Sequence, residues 1–111
     1  MSKTAAIEEV KTRQARPEKK PRHIPLYHVV LLDDDDHTYE YVIEMLGKIF
    51  GHTTHKAFRL AREVDTSGRV IVETTTFERA EFKRDQIHGY GPDRRMERCK
   101  GSMSAAIEPT E

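Results

Sequence analysis

Apolar positions along the chain change period several times, and each change marks an element. Tyr27 to Leu32, YHVVLL, is a short β-branched apolar run bounded by aspartates, which predicts a strand, central in its sheet. Tyr41, Val42, Met45, Leu46, Ile49 and Phe50 then recur at one-turn spacing, the stripe of a helix that Gly51 ends. Thr53 or Thr54 opens a second helix, with Ala57, Leu60, Ala61 and Val64 on its inner face and Thr66 to Gly68 closing it. RVIVETT is a strand by residue type. Thr76 caps a third helix, FERAEFKRDQIHGY, whose stripe is thin: Phe77, Ala80 and Ile87. GYGPD stops it, since Gly permits a left-handed cap and Pro cannot continue a helix. SMSAAIE reads as a last, weaker strand. The predicted order is strand, helix, helix, strand, helix, strand.

Residues 1–25 break this patterning. They hold few large apolar side chains and many charges, too little to offset the entropy of ordering, and read as a disordered extension. The domain is expected to span residues 26–111. Composition narrows the function classes. Of 111 residues, 36% are hydrophobic and 34% charged, and the net charge is zero, which argues against a nucleic-acid binder with its basic face. The zero conceals a split: Met1 to Leu26 holds seven Lys/Arg and three Glu, net +4, and the remainder twelve and sixteen, net −4. A single cysteine, Cys99, excludes an internal disulfide and fits a reducing compartment. No stretch is apolar enough to span a bilayer or to act as a signal peptide, so a soluble, cytoplasmic protein is expected.

The chemistry centres on LLDDDDHTYEYV. Asp33, Asp35 and Glu44 fall at the first, third and twelfth positions of a calcium loop, but Thr38 stands where that loop needs Gly for its turn, so no metal is expected there. Aspartates ahead of a helix also cap it, each for roughly 0.5–1 kcal/mol, yet one or two suffice and four leave a surplus. His52 and His55 have a spacing that could grip a metal, without a third ligand in evidence. No Gly-rich phosphate loop and no Ser or Cys elbow is present, which points to a binding module without cofactor rather than an enzyme. The charges of the third helix, Glu78, Glu81, Lys83, Arg84 and Asp85, read as a solvated or protein-docking face.

Taken together, Asp33-Asp34-Asp35 followed by Thr38, then Val64-Asp65, Gly68 and Ala80-Glu81-Phe82-Lys83, resemble in order and spacing the ClpS adaptors of Clp proteases, over about Leu26 to Glu108. The resemblance implies an α/β domain of the α+β type, a small three-stranded antiparallel sheet packed by three helices. It further implies a monomeric adaptor that binds substrates by a large hydrophobic N-terminal residue, Leu, Phe, Tyr or Trp, and hands them to a AAA+ unfoldase. By that resemblance Asp33, Asp34, Asp35 and Asp65 receive the α-amino group, while His37, Thr38, Tyr39, Val42, Ala61, Val64 and Met103 form the side-chain pocket, Met103 on the last strand. Glu78 and Lys83 fall on positions that dock on the N-terminal domain of a ClpA- or ClpC-type unfoldase, and the extension matches one that the unfoldase engages.

Three departures bear on selectivity. Asp65 replaces the family's His, Tyr39 a gate position often filled by Met, and Ala61 a larger Met, which could extend the preference to Ile or Val. Charge-assisted bonds are roughly twice as strong as neutral ones, so ammonium capture is expected to survive the change to Asp65. The rival readings are a docking module of the same fold without N-terminal recognition, as the ribosomal stalk protein's similar domain docks on factors, a reader of basic N-terminal residues, and a metal-dependent enzyme built on the Asp run.

Overall fold

The computed structural model describes residues 23–97, 99 and 101–111; most of the expected N-terminal extension, residues 1–22, lies outside them. Its elements are β1 (Tyr27–Leu32), α1 (Tyr39–Phe50), α2 (Thr54–Ser67), β2 (Arg69–Thr75), α3 (Phe77–His88) and β3 (Ser104–Pro109), in the order read from the sequence. β1 is the middle strand of a sheet ordered β2-β1-β3 and runs antiparallel to both neighbours. Val29, Val30 and Leu31 are wholly buried. That is why β1 shows no alternation: a strand covered on both faces needs apolar side chains at successive positions. Val29 opposes Glu73 and Val30 opposes Ile71, so Val72 is the extra residue of a β-bulge in β2.

Each helix opens on a threonine whose side-chain oxygen accepts an N–H of the first turn: Thr38 from Tyr41, Thr53 from Lys56 and Thr76 from Arg79. Such a cap is worth about 1 kcal/mol. Gly51 and Gly68 end α1 and α2 at φ 75° and 86°, a left-handed conformation that a Cβ would strain. The inner stripes of α1 and α2 join Val29, Leu31, Val70, Val72 and Met103 in one core.

Four details depart from the sequence reading. Gly89, which caps α3, has φ −102°, and the positive φ of 108° belongs to Gly91 two residues on. Phe77, placed on the buried stripe of α3, is 45% exposed and packs edge-on against Tyr27 at 5.0 Å. The buried stripe is completed instead by Lys83, 8% exposed, whose ammonium donates to the Ile49 carbonyl at 2.6 Å and lies over the Phe50 ring at 5.6 Å. It neutralises the negative end of α1, a role that charge patterning alone does not reveal. Met103 is buried but sits just ahead of β3 rather than on it.

No helix among the described residues is long and apolar enough to cross a membrane.

Candidate functional site

The end of β1 and the end of α2 meet at one hydrogen bond. The Asp33 N–H donates to the Gly68 carbonyl at 3.0 Å. This bond brings Asp33, the first residue after β1, beside Asp65 in the last turn of α2. Both residues are exposed. Partial burial of the Asp33 carboxyl raises it above its ordinary value, helped by the charges of Asp65, Asp34 and Asp35 and opposed by a bond from the Asp34 N–H. Among the described residues no cation forms an ion pair with Asp33 or Asp65.

Tyr39, the first residue of α1, reaches across to α2. Its hydroxyl donates to Asp65 Oδ2 at 2.9 Å, and this bond, with burial and the Asp65 charge, raises the phenol above its ordinary value. Its ring lies 5.8 Å from that of Phe58 on α2 and packs on the core cluster that contains Val42, Ala61, Val64 and Met103. Those four are at most 4% exposed. Tyr39 thus links Asp65 at the end of α2 to the core of the domain. Phe58, 42% exposed, escaped the sequence reading because it stands off the apolar stripe of α2; an isolated Phe on a polar helix face was the signal available.

The Asp34 carboxylate is engaged within its own turn. Asp34 Oδ1 accepts the Asp36 N–H at 3.0 Å and lies 2.7 Å from His37 Nδ1, folding the turn onto itself. His37 Nε2 lies 2.8 Å from the Gly101 carbonyl and 3.3 Å from the Cys99 sulfur, and the ring tilts against Tyr41 at 4.5 Å. The Nε2 of His37 thus anchors the segment before β3, while Nδ1 faces Asp34. Thr38 faces the same way: its N–H and hydroxyl donate to Asp93 Oδ2 at 2.7 and 2.8 Å. His37 and Thr38, placed in the side-chain pocket by resemblance, hold the molecule together here.

Asp93 was read from the sequence only as part of a helix stop. It is 1% exposed and accepts from the Thr38 N–H and hydroxyl and from the Arg95 N–H and guanidinium. Burial pushes its carboxyl up, but those bonds outweigh it and hold the group at about 2. Glu78 is exposed on α3, whereas Lys83 is turned inward as described. His52 precedes α2 and bonds the Val72 carbonyl at 2.9 Å, so it does not share a helix face with His55. Among the described residues no group of three or more His, Cys, Asp or Glu is placed to hold a metal ion.

Comparison with known proteins gives this arrangement a context. The fold matches that of a solved structure, Agrobacterium tumefaciens ClpS2 bound to L-phenylalaninamide, with a TM-score of 0.68, at 23% identity, covering 78% of this chain and 99% of the other. An ATP-dependent Clp protease adapter protein ClpS from Desulforapulum autotrophicum is 35% identical over 74 residues, 67% of this chain and 71% of its own length. The protein of that description from Acetivibrio thermocellus is 30% identical over 91 residues, 82% of this chain and 84% of its own. The sequence model of the family described as ATP-dependent Clp protease adaptor protein ClpS matches residues 22–96, the stretch that holds β1 to α3 and the Asp33–Asp65 corner. With a match over more than half of its length, the chain belongs to the ClpS family, whose members are adaptors of the Clp protease and not enzymes.

Proposed function

We propose that this adaptor binds protein substrates by their free N-terminal residue, with a large hydrophobic side chain, and delivers them to the N-terminal domain of a Clp unfoldase of the ClpA or ClpC type. The observation that carries the reading is the pair Asp33 and Asp65, drawn together by the Asp33–Gly68 bond and without an ion-pair partner among the described residues. An α-ammonium is the cation that such a corner lacks. Asp34 and Asp35 add negative potential beside it, and charge-assisted bonds to carboxylates are the strong class of hydrogen bond. Val42, Ala61, Val64 and Met103 supply an apolar floor, and burying a Leu or Phe side chain on it contributes roughly 1.5–3 kcal/mol.

L-Phenylalaninamide, the ligand of the solved ClpS2, has both handles, an α-ammonium and a benzyl group. Tyr39 stands over the floor while bonded to Asp65, so a side chain enters as the phenol swings aside and yields that oxygen to the ammonium. The small Ala61 leaves room for β-branched Ile or Val. On α3, exposed Glu78 is the charge offered to the unfoldase. Lys83 acts at that contact through its inward ammonium, which fixes α3 against the end of α1.

The test is binding of short peptides that differ only at residue one, beside N-acetylated controls, to the wild type, Asp33→Ala and Asp65→Ala. Free Leu, Phe, Tyr and Trp termini are expected to bind, acetylation to abolish binding and both variants to weaken it. Preference for free Lys or Arg termini would make the corner a reader of basic residues. No binding of any free terminus at millimolar peptide would leave only a docking module.

A further inference from the structure

α1 has a second working face. Tyr39 looks toward α2, whereas Tyr41, Glu44 and Lys48, at one-turn spacing, look toward the segment that follows α3. Together with Tyr90, Pro92, Arg94 and Arg95, Glu44 and Lys48 border a groove of about 710 Å³. The groove is weakly cationic: Lys48, Arg94 and Arg95 stand against Glu44 and against Asp93 behind Arg95, a surplus of one positive charge in a domain whose residues 27–111 carry net −4.

Two of the three cations are already ion-paired, and the surplus falls on Arg94. Glu44 spends its carboxylate on Arg95 at 3.2 Å and Lys48 at 3.4 Å, and Arg95 is gripped from behind by buried Asp93 at 3.2 Å. Arg94 is exposed and has no hydrogen-bond or ion-pair partner among the described residues. Beside these cations Tyr90, half-buried and edge-on to Tyr41 at 5.5 Å, and Pro92 give an apolar step.

We propose that this groove docks an acidic, extended segment of a partner protein, with carboxylates on Lys48, Arg94 and Arg95 and an apolar side chain on Tyr90 and Pro92. The chain's own Met1 to Leu26 carries net +4 and so does not offer, as a whole, the acidic charge that the groove takes. The inference does not rest on N-terminal recognition, because the groove lies on the other face of α1.

The test uses the full chain at low salt and a fluorescein-labelled, N-acetylated hexapeptide of alternating Glu and Phe, which offers no ammonium to the Asp33–Asp65 corner. Fluorescence anisotropy is expected to show saturable binding that weakens about tenfold in Arg94→Glu and in Lys48→Glu and fades with added salt. Asp65→Ala is expected to bind it as the wild type does, and the peptide with Lys in place of Glu not to bind. Arg94 is exposed, so its variant should keep the wild-type melting midpoint. No saturation at millimolar peptide, or wild-type affinity in both groove variants, would overturn the proposal. So would full displacement by equimolar inorganic phosphate, the mark of a simple anion site. Sedimentation showing dimers that Arg94→Glu dissolves would also overturn it, by seating a second copy in the groove.

Discussion

Asp33 and Asp93 are the same residue type in opposite circumstances. Asp93 is enclosed, meets four donors from Thr38 and Arg95, and is held at about 2. Asp33 is exposed, crowded by three other carboxylates, and is raised. A carboxylate that the fold has satisfied belongs to the fold, and one that the fold has left in surplus is available to a ligand. The two circumstances tell apart acidic residues that look alike in the sequence.

The sharpest way to break the comparison is to remove the available group. Asp65→Ala should cost a free N-terminal peptide about 1.5–3 kcal/mol of affinity, the usual contribution of a hydrogen bond to a charged group, read by calorimetric titration. Its melting midpoint should stay near that of the wild type. Asp93→Ala should do the reverse: a loss on the order of 2 kcal/mol in denaturant unfolding, because a depressed carboxylate contributes stability equal to its shift, and unchanged affinity below the melting transition.

Acid distinguishes the two without mutation. The folded value of Asp93 lies below its unfolded one, so its stabilisation is complete above the ordinary Asp value of 3.8 and is lost as pH falls through about 2. Asp33 is raised, so its charge is lost at a higher pH than that of an ordinary aspartate. Peptide affinity should therefore decline on acidification while the fold is still intact, as binding isotherms beside circular dichroism at each pH would show. The smallest effect is expected from Tyr39→Phe, which frees Asp65 Oδ2 and should raise affinity a few-fold. Equal affinity in this variant would mean that the phenol and the ammonium use different oxygens.

The order of elements was legible because it rests on periodicity. The stripe of α1, the threonine caps and the unbroken apolar run of β1 each have one cheap structural solution. Legibility ended where a polar side chain was spent on a distant backbone group. Lys83 reads as one more charge on a charged helix, and only the position of Ile49, 34 residues away, turns it inward. His37 and Thr38 lie among the aspartates in sequence but bond Gly101 and Asp93, more than fifty residues on. Asp93 itself, in GYGPD, carries the composition of a turn and nothing that foretells burial. The approach of Asp33 to Asp65 was implied only by resemblance, because it depends on the antiparallel registry of β1 with β2 and a bond to Gly68 that no local pattern encodes.

The bond from the Thr38 N–H to Asp93 has a spectroscopic consequence. It joins the first turn of α1, one residue from Tyr39, to the segment that carries Pro92, Arg94 and Arg95. The Thr38 amide is thereby a built-in reporter. Its proton should exchange with solvent slowly and resonate far downfield, and its chemical shift should move when either face of α1 is occupied, so that one cross-peak would follow substrate capture and groove docking in a single titration.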